Sequence, residues 1–401
     1  MAHVKTALHM TERQSSVSQD FSIDTKGYFM SYFGLDIHKL GFGLMRLPRN
    51  EGGIDIEQTS EMVDMFLAAG GNYFDTAYGY AGSETAIGKA LVARHPRESY
   101  FLASKLPAWS AADANQARAM LDESLKRTGA GYFDFYLLHN LGEHRSKFFY
   151  DYDIWNFVQR KKEEGVIKHV GLSFHDKAVE LDKLLTAHPE MEFVQLQINY
   201  ADWENPAVES RLCLEVAARH GKPVIIMEPI RGGTLANPPQ RIRESFEAAV
   251  PGQTPAAWAL RYAASLDNVV TVLSGMSNIE QMRENIETAK GFGSLTATET
   301  EAIETARKIL NEIEVVPCTA CGYCMGDCPK HVAIYGIFAA YNTYLMYDNL
   351  QSAKGNYGWN TRGHGWGKAS DCIKCGKCEK VCPQHIRIRE ELQKAARLFE
   401  N

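Results

Sequence analysis

From about residue 38 onwards, short apolar runs alternate with longer amphipathic stretches. The apolar runs have the length and the β-branched and aromatic content of buried strands, and the stretches between them have helical periodicity. One such stretch, EQTSEMVDMFLAAG, ends on Gly70 and Gly71, as a helix with a glycine C-cap does. The strand candidates are KLGFGLMRL, NYFDTA, SYFLASK, YFDFYLLH, KHVGLSF, FVQLQIN, KPVIIMEP and NVVTVLSG.

Eight strand–helix units in about 250 residues predict an α/β fold, a (β/α)8 TIM barrel. The competing fold is a doubly wound sheet, which carries G-x-G-x-x-G after an early strand, and no such motif is present. We expect the barrel to span residues 38–311, after an N-terminal extension over residues 1–37. The extension is polar and irregular, and we expect it to be flexible or to form a strap on the barrel.

The remaining residues, 312–401, contain two cysteine runs with one spacing, CTACGYCMGDCP and CIKCGKCEKVCP. Zinc sites usually combine separate C-x2-C pairs, and disulfides between cysteines this close in sequence are geometrically awkward. The doubled run resembles the bacterial ferredoxin pattern for two [4Fe–4S] clusters, in which the fourth cysteine of each run ligates the other cluster. Cluster I is thereby assigned Cys318, Cys321, Cys324 and Cys382, and cluster II is assigned Cys372, Cys375, Cys378 and Cys328.

Between the two runs lies HVAIYGIFAAYNTYLMYD, which places aromatic residues at helical spacing. These residues predict an apolar core that keeps water from the clusters. We therefore expect residues 312–401 to form a small, mainly helical ferredoxin-like dicluster domain. The ninth cysteine, Cys213, lies in the apolar helical stretch SRLCLEVAARH and is expected in the core.

The composition narrows the possible partners and compartment. A hydrophobic content of 45% is typical of a globular protein, and the formal net charge of −6 argues against a nucleic-acid surface. We expect no membrane segment, because no stretch approaches about 18 uncharged apolar residues. Iron–sulfur clusters imply a reducing interior, and the N-terminus has no apolar core of a signal peptide, so we expect a cytoplasmic protein.

Four polar side chains follow three consecutive strands of the predicted barrel. Asp75 and a tyrosine, either Tyr78 or Tyr80, follow the second strand, Lys105 follows the third and His139 the fourth. Because catalytic groups of such barrels lie at the carboxyl ends of strands, we expect the four at one mouth. A lysine ammonium favours a phenolate and lowers the pKa of a nearby tyrosine, and a carboxylate holds that lysine charged. The set can give a proton to a carbonyl oxygen while a hydride reaches the carbon.

FDTAYGY, ASK and YLLH, the motifs that carry these side chains, resemble those of the aldo-keto reductase family over roughly residues 38–310. The D-T-A-x-x-Y pattern of that family selects Tyr80 over Tyr78 as the catalytic tyrosine. The resemblance implies a tetrad of Asp75, Tyr80, Lys105 and His139 and a nicotinamide cofactor. The whole chain is similar to the branch of the family with a C-terminal two-[4Fe–4S] ferredoxin-like domain.

Two segments are candidates for binding the phosphates of that cofactor. Ser277 and Glu280 form an S-x-x-E capping box after the eighth strand, so we expect a helix N-terminus there, a common anion site. Gly232 and Gly233 follow the seventh strand, where glycines either let the backbone approach a pyrophosphate or form an ordinary turn.

The family resemblance adds contacts to the nicotinamide amide by Ser173 and Gln197 and to the adenine by Glu284 and Asn285. Three positions depart from the family pattern. Phe174 follows the strand-5 serine where asparagine is frequent, Met227 replaces the tyrosine that stacks on nicotinamide, and Gln281 replaces the arginine that reads the 2′-phosphate. NADP and NAD therefore both stay open.

The expected function is an oxidoreductase that interconverts a small-molecule carbonyl and alcohol, with Tyr80 as general acid/base. Hydride transfer moves two electrons, whereas each cluster carries one. A flavin is therefore an alternative cofactor, because flavins pass on electrons singly. Ferredoxin or another redox partner could exchange electrons with the clusters. Two other functions stay open. One is a redox-neutral enzyme on a sugar or cyclic alcohol, with tightly bound NAD and structural clusters. The other is an electron-transfer or docking subunit.

The loop LGEHRSKFFYDYDIWNF after His139 is expected to line the mouth of the barrel. Its aromatic residues either suit a ring-shaped substrate or pack on the protein.

Overall fold

The fold is that of a computed structural model, which describes residues 29–206, 208–318, 322–326, 328–382 and 384–401. Each apolar run of the sequence contains one strand of a closed barrel, as predicted. The strands pack buried hydrophobic side chains on both of their faces. Their sequences are therefore nearly continuous apolar runs. The barrel strands are β3 (Leu40–Gly43), β6 (Tyr73–Asp75), β7 (Phe101–Leu106), β8 (Phe133–Leu141), β9 (Ile167–Phe174), β10 (Phe193–Gln197), β11 (Val224–Met227) and β12 (Val269–Gly275).

Neighbouring strands of the barrel are consecutive in the chain and parallel, and β12 pairs with β3 to close it. Helices cover the outside. They are α1 (Ile56–Ala68), α2 (Ser83–Ile87), α3 (Ala114–Thr128), α4 (Ser146–Asp151), α5 (Ile154–Glu163), α6 (Ala178–Ala187), α7 (Ser210–Arg219), α8 (Gln240–Ala249), α9 (Pro255–Ala264), α10 (Ile279–Ala289) and α11 (Ala297–Glu312). Cys213 is buried in α7, as expected of a core residue.

Local sequence sets where these helices begin and end. Asp113 caps α3 by accepting the N–H of Gln116 at 2.9 Å, and Gly129 ends the helix in the left-handed region at φ 68°. At α11, Thr296 and Glu299 form a reciprocal capping box. These contacts satisfy backbone groups that a helix end leaves without an intrahelical partner.

A hairpin closes the amino-terminal end of the barrel. It is formed by the antiparallel strands β1 (Phe29–Tyr32) and β2 (Leu35–His38), and the Phe33 ring at its turn packs against the rings of Phe135 and Phe193. The first 28 residues of the expected extension lie outside the described residues, whereas its last nine residues form this hairpin. A second short hairpin, β4 (Arg49–Asn50) and β5 (Gly53–Ile54), precedes α1.

The cysteine region is mainly helical and has an apolar core of its own. Its helices are α12 (Tyr323–Gly326), α13 (Ile334–Tyr347), α14 (Leu350–Asn360), α15 (Lys377–Lys380) and α16 (Ile388–Phe399). The aromatic stretch of the sequence becomes α13, whose buried residues Ile334, Ile337 and Phe338 belong to this core. Within the described ranges, no helix combines the length and apolar character that crossing a bilayer requires.

The cysteine region, here named the cluster domain, packs against the carboxyl-terminal side of the barrel, where the strand-to-helix loops lie. Tyr347, the last residue of α13, shares an apolar cluster with Tyr200 and Leu235, which follow β10 and β11. The guanidinium carbon of Arg231 lies 5.2 Å from the centre of the Tyr347 ring. Arg231 pairs on its other side with Asp202 at 3.1 Å, a carboxylate that is 1% exposed. This contact joins the two domains at the barrel mouth.

Candidate active site

Four side chains predicted from the sequence meet at the mouth of the barrel. Asp75 ends β6, and Lys105 and His139 lie near the ends of β7 and β8. The Lys105 ammonium donates hydrogen bonds to Asp75 Oδ1, to the carbonyl oxygen of Thr76 at 2.8 Å and to the Tyr80 hydroxyl at 3.3 Å. All three N–H groups of the ammonium are thus directed at defined acceptors, which fixes Lys105 beside the phenol.

The structure separates the two tyrosine candidates. Tyr80 places its ring 5.9 Å from the His139 ring, at an interplanar angle of 80°, and 4.7 Å from the Lys105 ammonium. Tyr78 instead lies with its ring 4.3 Å from the guanidinium of Arg127 on α3. Only Tyr80 of this pair is therefore placed to act with Lys105 and His139 in the described structure.

A fifth side chain completes the buried centre and was missed by the sequence reasoning. Gln195 on β10 donates from Nε2 to the second oxygen of Asp75, Oδ2, at 3.0 Å. Gln195 and Asp75 are 120 residues apart, so no local motif links them. The available signal was a glutamine in the middle of the otherwise apolar strand FVQLQ. Gln195 holds the carboxylate that in turn holds Lys105.

Charges and burial set the protonation states of this centre. Burial lowers the pKa of Lys105, but the adjacent Asp75 and Tyr80 outweigh burial and leave that pKa raised, so the ammonium stays charged. Burial raises the pKa of Tyr80 above 10, Lys105 opposes this shift, and Asp75 reinforces it. The lowered Tyr80 pKa predicted from the sequence was therefore wrong for this structure, because the loss of water around the phenol outweighs the lysine charge.

The imidazole of His139 is held neutral. Burial is the main cause that lowers the pKa of His139 well below 6.5, and the positive charges of Lys105 and Arg145 add to it. Neighbouring His175 behaves likewise, with burial and then Arg145 and Lys105 lowering its pKa to about 4. His139 Nδ1 is buried, and none of the described residues provides it with a hydrogen-bond partner. A neutral imidazole here can donate a hydrogen bond to a substrate oxygen.

The loop after β8 contributes a cation to the same mouth. Arg145 donates from Nη1 to Asn140 Oδ1 at 2.8 Å, and its guanidinium carbon lies 5.2 Å from the centre of the Trp109 ring. Trp109 is tied to the site because its Nε1 donates to the His139 carbonyl at 3.0 Å. Three aromatic residues of this loop pack on the protein: Phe149 is buried in the barrel core, and Phe148 and Tyr152 pack against that core, whereas Tyr150 is exposed.

The residues expected to contact nicotinamide lie at neighbouring strand ends. Ser173 is fully buried, and its Oγ accepts the N–H of Asn140 at 2.8 Å. Gln197 donates from Nε2 to Asp202 at 3.1 Å, and no described contact uses its carbonyl oxygen. Met227 is the residue paired with Gln197 in the β10–β11 register. These positions suit a ring lying across the strand ends, and their contacts to it stay predictions.

The glycine pair after β11 lies beside a mouth arginine that the sequence reasoning also missed. Gly232 and Gly233 both have left-handed backbone, with φ of 65° and 93°. A Cβ added to Gly232 would lie 3.2 Å from the Arg46 guanidinium, which forms an ion pair with Glu228 at 3.6 Å. The left-handed backbone of this turn favours glycine at both positions. Without side chains, the backbone at Gly232 lies open beside the Arg46 guanidinium.

The helix after β12 begins one residue later than predicted. Asn278, not Ser277, caps α10, because its Oδ1 accepts the N–H of Gln281 at 2.9 Å. The Ser277 N–H donates to Gln281 Oε1 at 2.8 Å, and Ser277 Oγ donates to the carbonyl oxygen of Arg46 at 2.8 Å. The Ser277–Glu280 capping box was wrong because asparagine is an equally good cap and is in register with Gln281.

The two residues expected at the adenine have partners inside the protein. Asn285 is buried and donates from Nδ2 to Ser274 Oγ at 2.9 Å. Glu284 accepts a hydrogen bond from the Thr254 hydroxyl. The structure thus turns the Asn285 amide inwards, towards β12, while Glu284 lies at the surface near the N-terminus of α9.

The cluster domain has two cavities, and each is lined by cysteines of one run together with the fourth cysteine of the other run. One is lined by Cys318 and Cys324 of the first run and Cys382 of the second. The other is lined by Cys372, Cys375 and Cys378 of the second run and Cys328 of the first. This is the arrangement predicted for clusters I and II. Cys321 lies outside the described residues, and the ligand role of each cysteine stays a prediction.

The second cavity brings four sulfurs into electrostatic reach of one another. Burial is the main cause that raises the pKa of the Cys378 thiol to about 11, and Glu379, Cys372, Cys328 and Cys375 each raise it further. The Val332 N–H donates to Cys328 Sγ at 3.4 Å. Clustered cysteine sulfurs, apolar walls and a backbone N–H directed at sulfur fit an iron–sulfur cluster better than a hard, oxygen-preferring cation.

Comparison with known families identifies both parts of the chain. Residues 39–308 match the aldo/keto reductase family, and residues 317–386 match the 4Fe-4S dicluster domain. An aldo-keto reductase of Mycobacterium avium is 30% identical over 253 residues, which are 62% of this chain and 79% of the relative. An L-galactose dehydrogenase of Arabidopsis thaliana is 25% identical over 302 residues, and the match covers 71% of this chain and 91% of the relative.

Solved structures agree. An aldo-keto reductase from Bacillus halodurans, in its holo form, matches 69% of this chain and 95% of its own, with 26% identity and a TM-score of 0.57. The fold also matches an aldo-keto reductase from Klebsiella pneumoniae in complex with NADPH, with 20% identity and a TM-score of 0.54 over 68% of this chain and 92% of its own. The flavin expectation is not supported by these comparisons. The chain belongs to the aldo/keto reductase family of NAD(P)-dependent oxidoreductases, in a branch that carries a 4Fe-4S dicluster domain after the barrel.

Proposed function

We propose that this protein interconverts a small carbonyl compound and its alcohol, with a nicotinamide cofactor and with Tyr80 as the general acid/base. The observation that carries the proposal is the hydrogen-bonded centre of Tyr80, Lys105 and Asp75 beside a neutral His139. A bound nicotinamide would supply or accept the hydride. Ser173 and Gln197 are the residues that would hold its amide, and the Gly232 turn beside Arg46 is the place for its phosphates.

The proton chemistry follows from the contacts. In the reducing direction, the Tyr80 hydroxyl gives its proton to the carbonyl oxygen, and the charged Lys105 at 3.3 Å stabilises the phenolate that remains. The imidazole of His139 donates a hydrogen bond to the same oxygen and orients it. Asp75 and Gln195 hold Lys105 in place, so the cation is preorganised before the charge develops.

Isotope transfer tests this function directly. Purified protein would be incubated anaerobically with NADPH or NADH deuterated at C4 of the nicotinamide and with a panel of aldehydes, ketones and sugars. We expect deuterium on the carbon that becomes the alcohol, from one face of the nicotinamide only. Alcohol product without deuterium at that carbon would contradict hydride transfer, and no turnover of any carbonyl would favour a docking subunit.

We propose in addition that cluster II exchanges single electrons with a separate, acidic one-electron carrier of the ferredoxin type. Cys375 is exposed, and the exposed basic residues Lys374, Lys377 and Lys380 surround it in the chain. Two apolar side chains of the same segment, Ile373 and Val381, are 57% and 37% exposed. A segment that exposes three basic and two apolar side chains suits brief docking of an acidic protein.

Anaerobic stopped-flow mixing with a reduced bacterial ferredoxin tests this second proposal. In this exchange the carrier would lose one electron and cluster II would gain it, which would bleach the visible absorbance of the cluster. We expect the rate to fall steeply with added salt and with a Lys374→Glu, Lys377→Glu double variant, whereas Lys126→Glu on α3 should have no effect. Clusters that stay oxidised with both ferredoxin and NADPH would contradict electron exchange and leave the clusters structural.

A further inference from the structure

One cation at the barrel mouth differs from the other partly buried arginines of the barrel. Arg97, Arg127 and Arg231 each pair with a buried or nearly buried carboxylate, at 2.6, 3.3 and 3.1 Å. Arg145 is also partly buried, and burial is the main cause that lowers its pKa. Among the described residues, however, no carboxylate lies within ion-pair distance of Arg145. Burying a guanidinium without a counter-charge costs free energy, unless a bound group supplies the negative charge.

The nearest acidic group is already committed elsewhere. Asp176 acts on the pKa of Arg145 only through space. Its Oδ2 accepts the N–H of Glu143 at 2.8 Å, and its Oδ1 accepts the N–H of Lys177 at 2.8 Å. Asp176 therefore holds the loop after β8 against the start of α6, and it does not neutralise Arg145.

Arg145 is fixed in position but has donors to spare. The Asn140 side-chain oxygen lies on one side of its guanidinium and the Trp109 ring on the other, and both residues are tied to the ends of the barrel strands. Asn140 donates its N–H to Ser173, and Trp109 donates to the His139 carbonyl. A guanidinium has five N–H donors in a planar fork, and the described hydrogen bonds use one. The rest are available to a planar, two-oxygen acceptor.

The cluster domain borders the same cation. Tyr335, in the first turn of α13, is close enough to act electrostatically on Arg145. The Tyr335 side chain also lines the cavity of cluster I. Arg145 is thus within electrostatic reach of His139 in the barrel and of Tyr335 in the cluster domain.

We propose that Arg145 is the recognition residue for a carboxylate on the substrate, so that the enzyme acts on oxo acids or hydroxy acids. This inference rests on the proposed carbonyl/alcohol function and names its substrate class. The carbonyl lies at Tyr80 and His139, and the carboxylate pairs with the open edge of the guanidinium. Bidentate pairing of arginine with carboxylate is strong and directional, so it orients the substrate as well as holding it.

Matched substrates test the proposal. The 2-, 3- and 4-isomers of carboxybenzaldehyde would be compared with the corresponding nitrobenzaldehydes, which have the same shape and no charge. We expect Arg145→Gln to lower kcat/KM by about 10- to 100-fold for at least one carboxylated isomer and by less than about twofold for its nitro twin. Arg145→Lys should recover part of the loss. The control is Lys147→Gln, which removes an exposed charge from the same loop and should change neither rate.

A binding measurement separates this inference from the proposed function. Protein loaded with NADP⁺ would be titrated with benzoate and with nitrobenzene, and binding followed by the thermal unfolding midpoint. Stabilisation by benzoate that Arg145→Gln abolishes would support the anion site even if no aldehyde were reduced. Equal losses for both members of each substrate pair, or benzoate binding that survives Arg145→Gln, would overturn the inference while leaving the carbonyl chemistry intact.

Discussion

The ammonium nitrogen of Lys105 lies 3.3 Å from the phenolic oxygen of Tyr80. The first prediction follows from this contact. Tyr80→Phe should reduce turnover by roughly 10² to 10⁴-fold, because the residue loses the hydroxyl that carries the proton. The affinity for NADPH should stay nearly unchanged, since the ring remains beside His139. Steady-state kinetics and a fluorescence titration with NADPH measure the two quantities.

Tyr78→Phe is the matched control, because it removes the same atom from a tyrosine two residues away. The Tyr78 ring stacks on Arg127 outside the catalytic centre, so we expect little change in turnover. A larger loss for Tyr78→Phe than for Tyr80→Phe would show that the wrong tyrosine has been assigned.

The second prediction concerns pH. Burial raises the pKa of Tyr80 above 10 despite the opposing charge of Lys105. Carbonyl reduction uses the protonated phenol, whose fraction falls only as the pH passes that pKa. The pH profile of kcat/KM for reduction should therefore show no alkaline decline below about pH 10. Alcohol oxidation uses the phenolate, so its rate should rise with pH over the same range. A decline of the reduction rate centred near neutral pH would disprove this protonation state.

The third prediction tests the exchange of cysteines between the clusters. The protein prepared anaerobically should contain about eight iron atoms per chain and little zinc. Cys328→Ala and Cys375→Ala should each lose about half of the iron, and the double variant should lose no more, because both residues line one cavity. Combining Cys328→Ala with Cys324→Ala should remove nearly all of it, since these residues line different cavities. The reverse pattern of iron loss would refute the ligand sets.

The fourth prediction concerns the joint between the domains. Arg231→Met leaves Asp202 buried without its cation, and we expect a loss of roughly 3 to 5 kcal/mol in the free energy of unfolding. Adding Asp202→Asn should restore part of it. Arg241→Met breaks an exposed ion pair with Glu312 and should cost less than about 1 kcal/mol. Chemical denaturation measures all three, and equal effects of Arg231→Met and Arg241→Met would contradict the buried role.

Much of the fold could be predicted because its determinants are local. A buried parallel strand is apolar along nearly its whole length, so KPVIIMEP indicates β11 without knowledge of its neighbours. The barrel mouth follows from the same logic, because every strand end is known once the strands are known. Helix caps are harder to place to the residue. Asn278 and Ser277 are both good caps, and only the register with Gln281 decides between them.

The contacts that the sequence did not reveal join distant parts of the chain. Gln195 meets Asp75 across the barrel, and Arg231 meets Tyr347 across the domain boundary. The pKa of Tyr80 was misjudged for a related reason. The charge of Lys105 can be inferred from a motif, whereas the exclusion of water around the phenol depends on everything that packs there.

The placement of α13 has a consequence for how the enzyme responds to oxygen. Its first turn lines the cavity of cluster I through Ile334 and Tyr335, and its last residue, Tyr347, packs into the barrel mouth. Aldo-keto chemistry itself contains no oxygen-sensitive group, but α13 is one continuous helix, so a displacement of its first turn would be transmitted to Tyr347. Air damage to cluster I should therefore reach the substrate entrance. Catalysis by the barrel would then be confined to cells, or to moments, in which the clusters are intact.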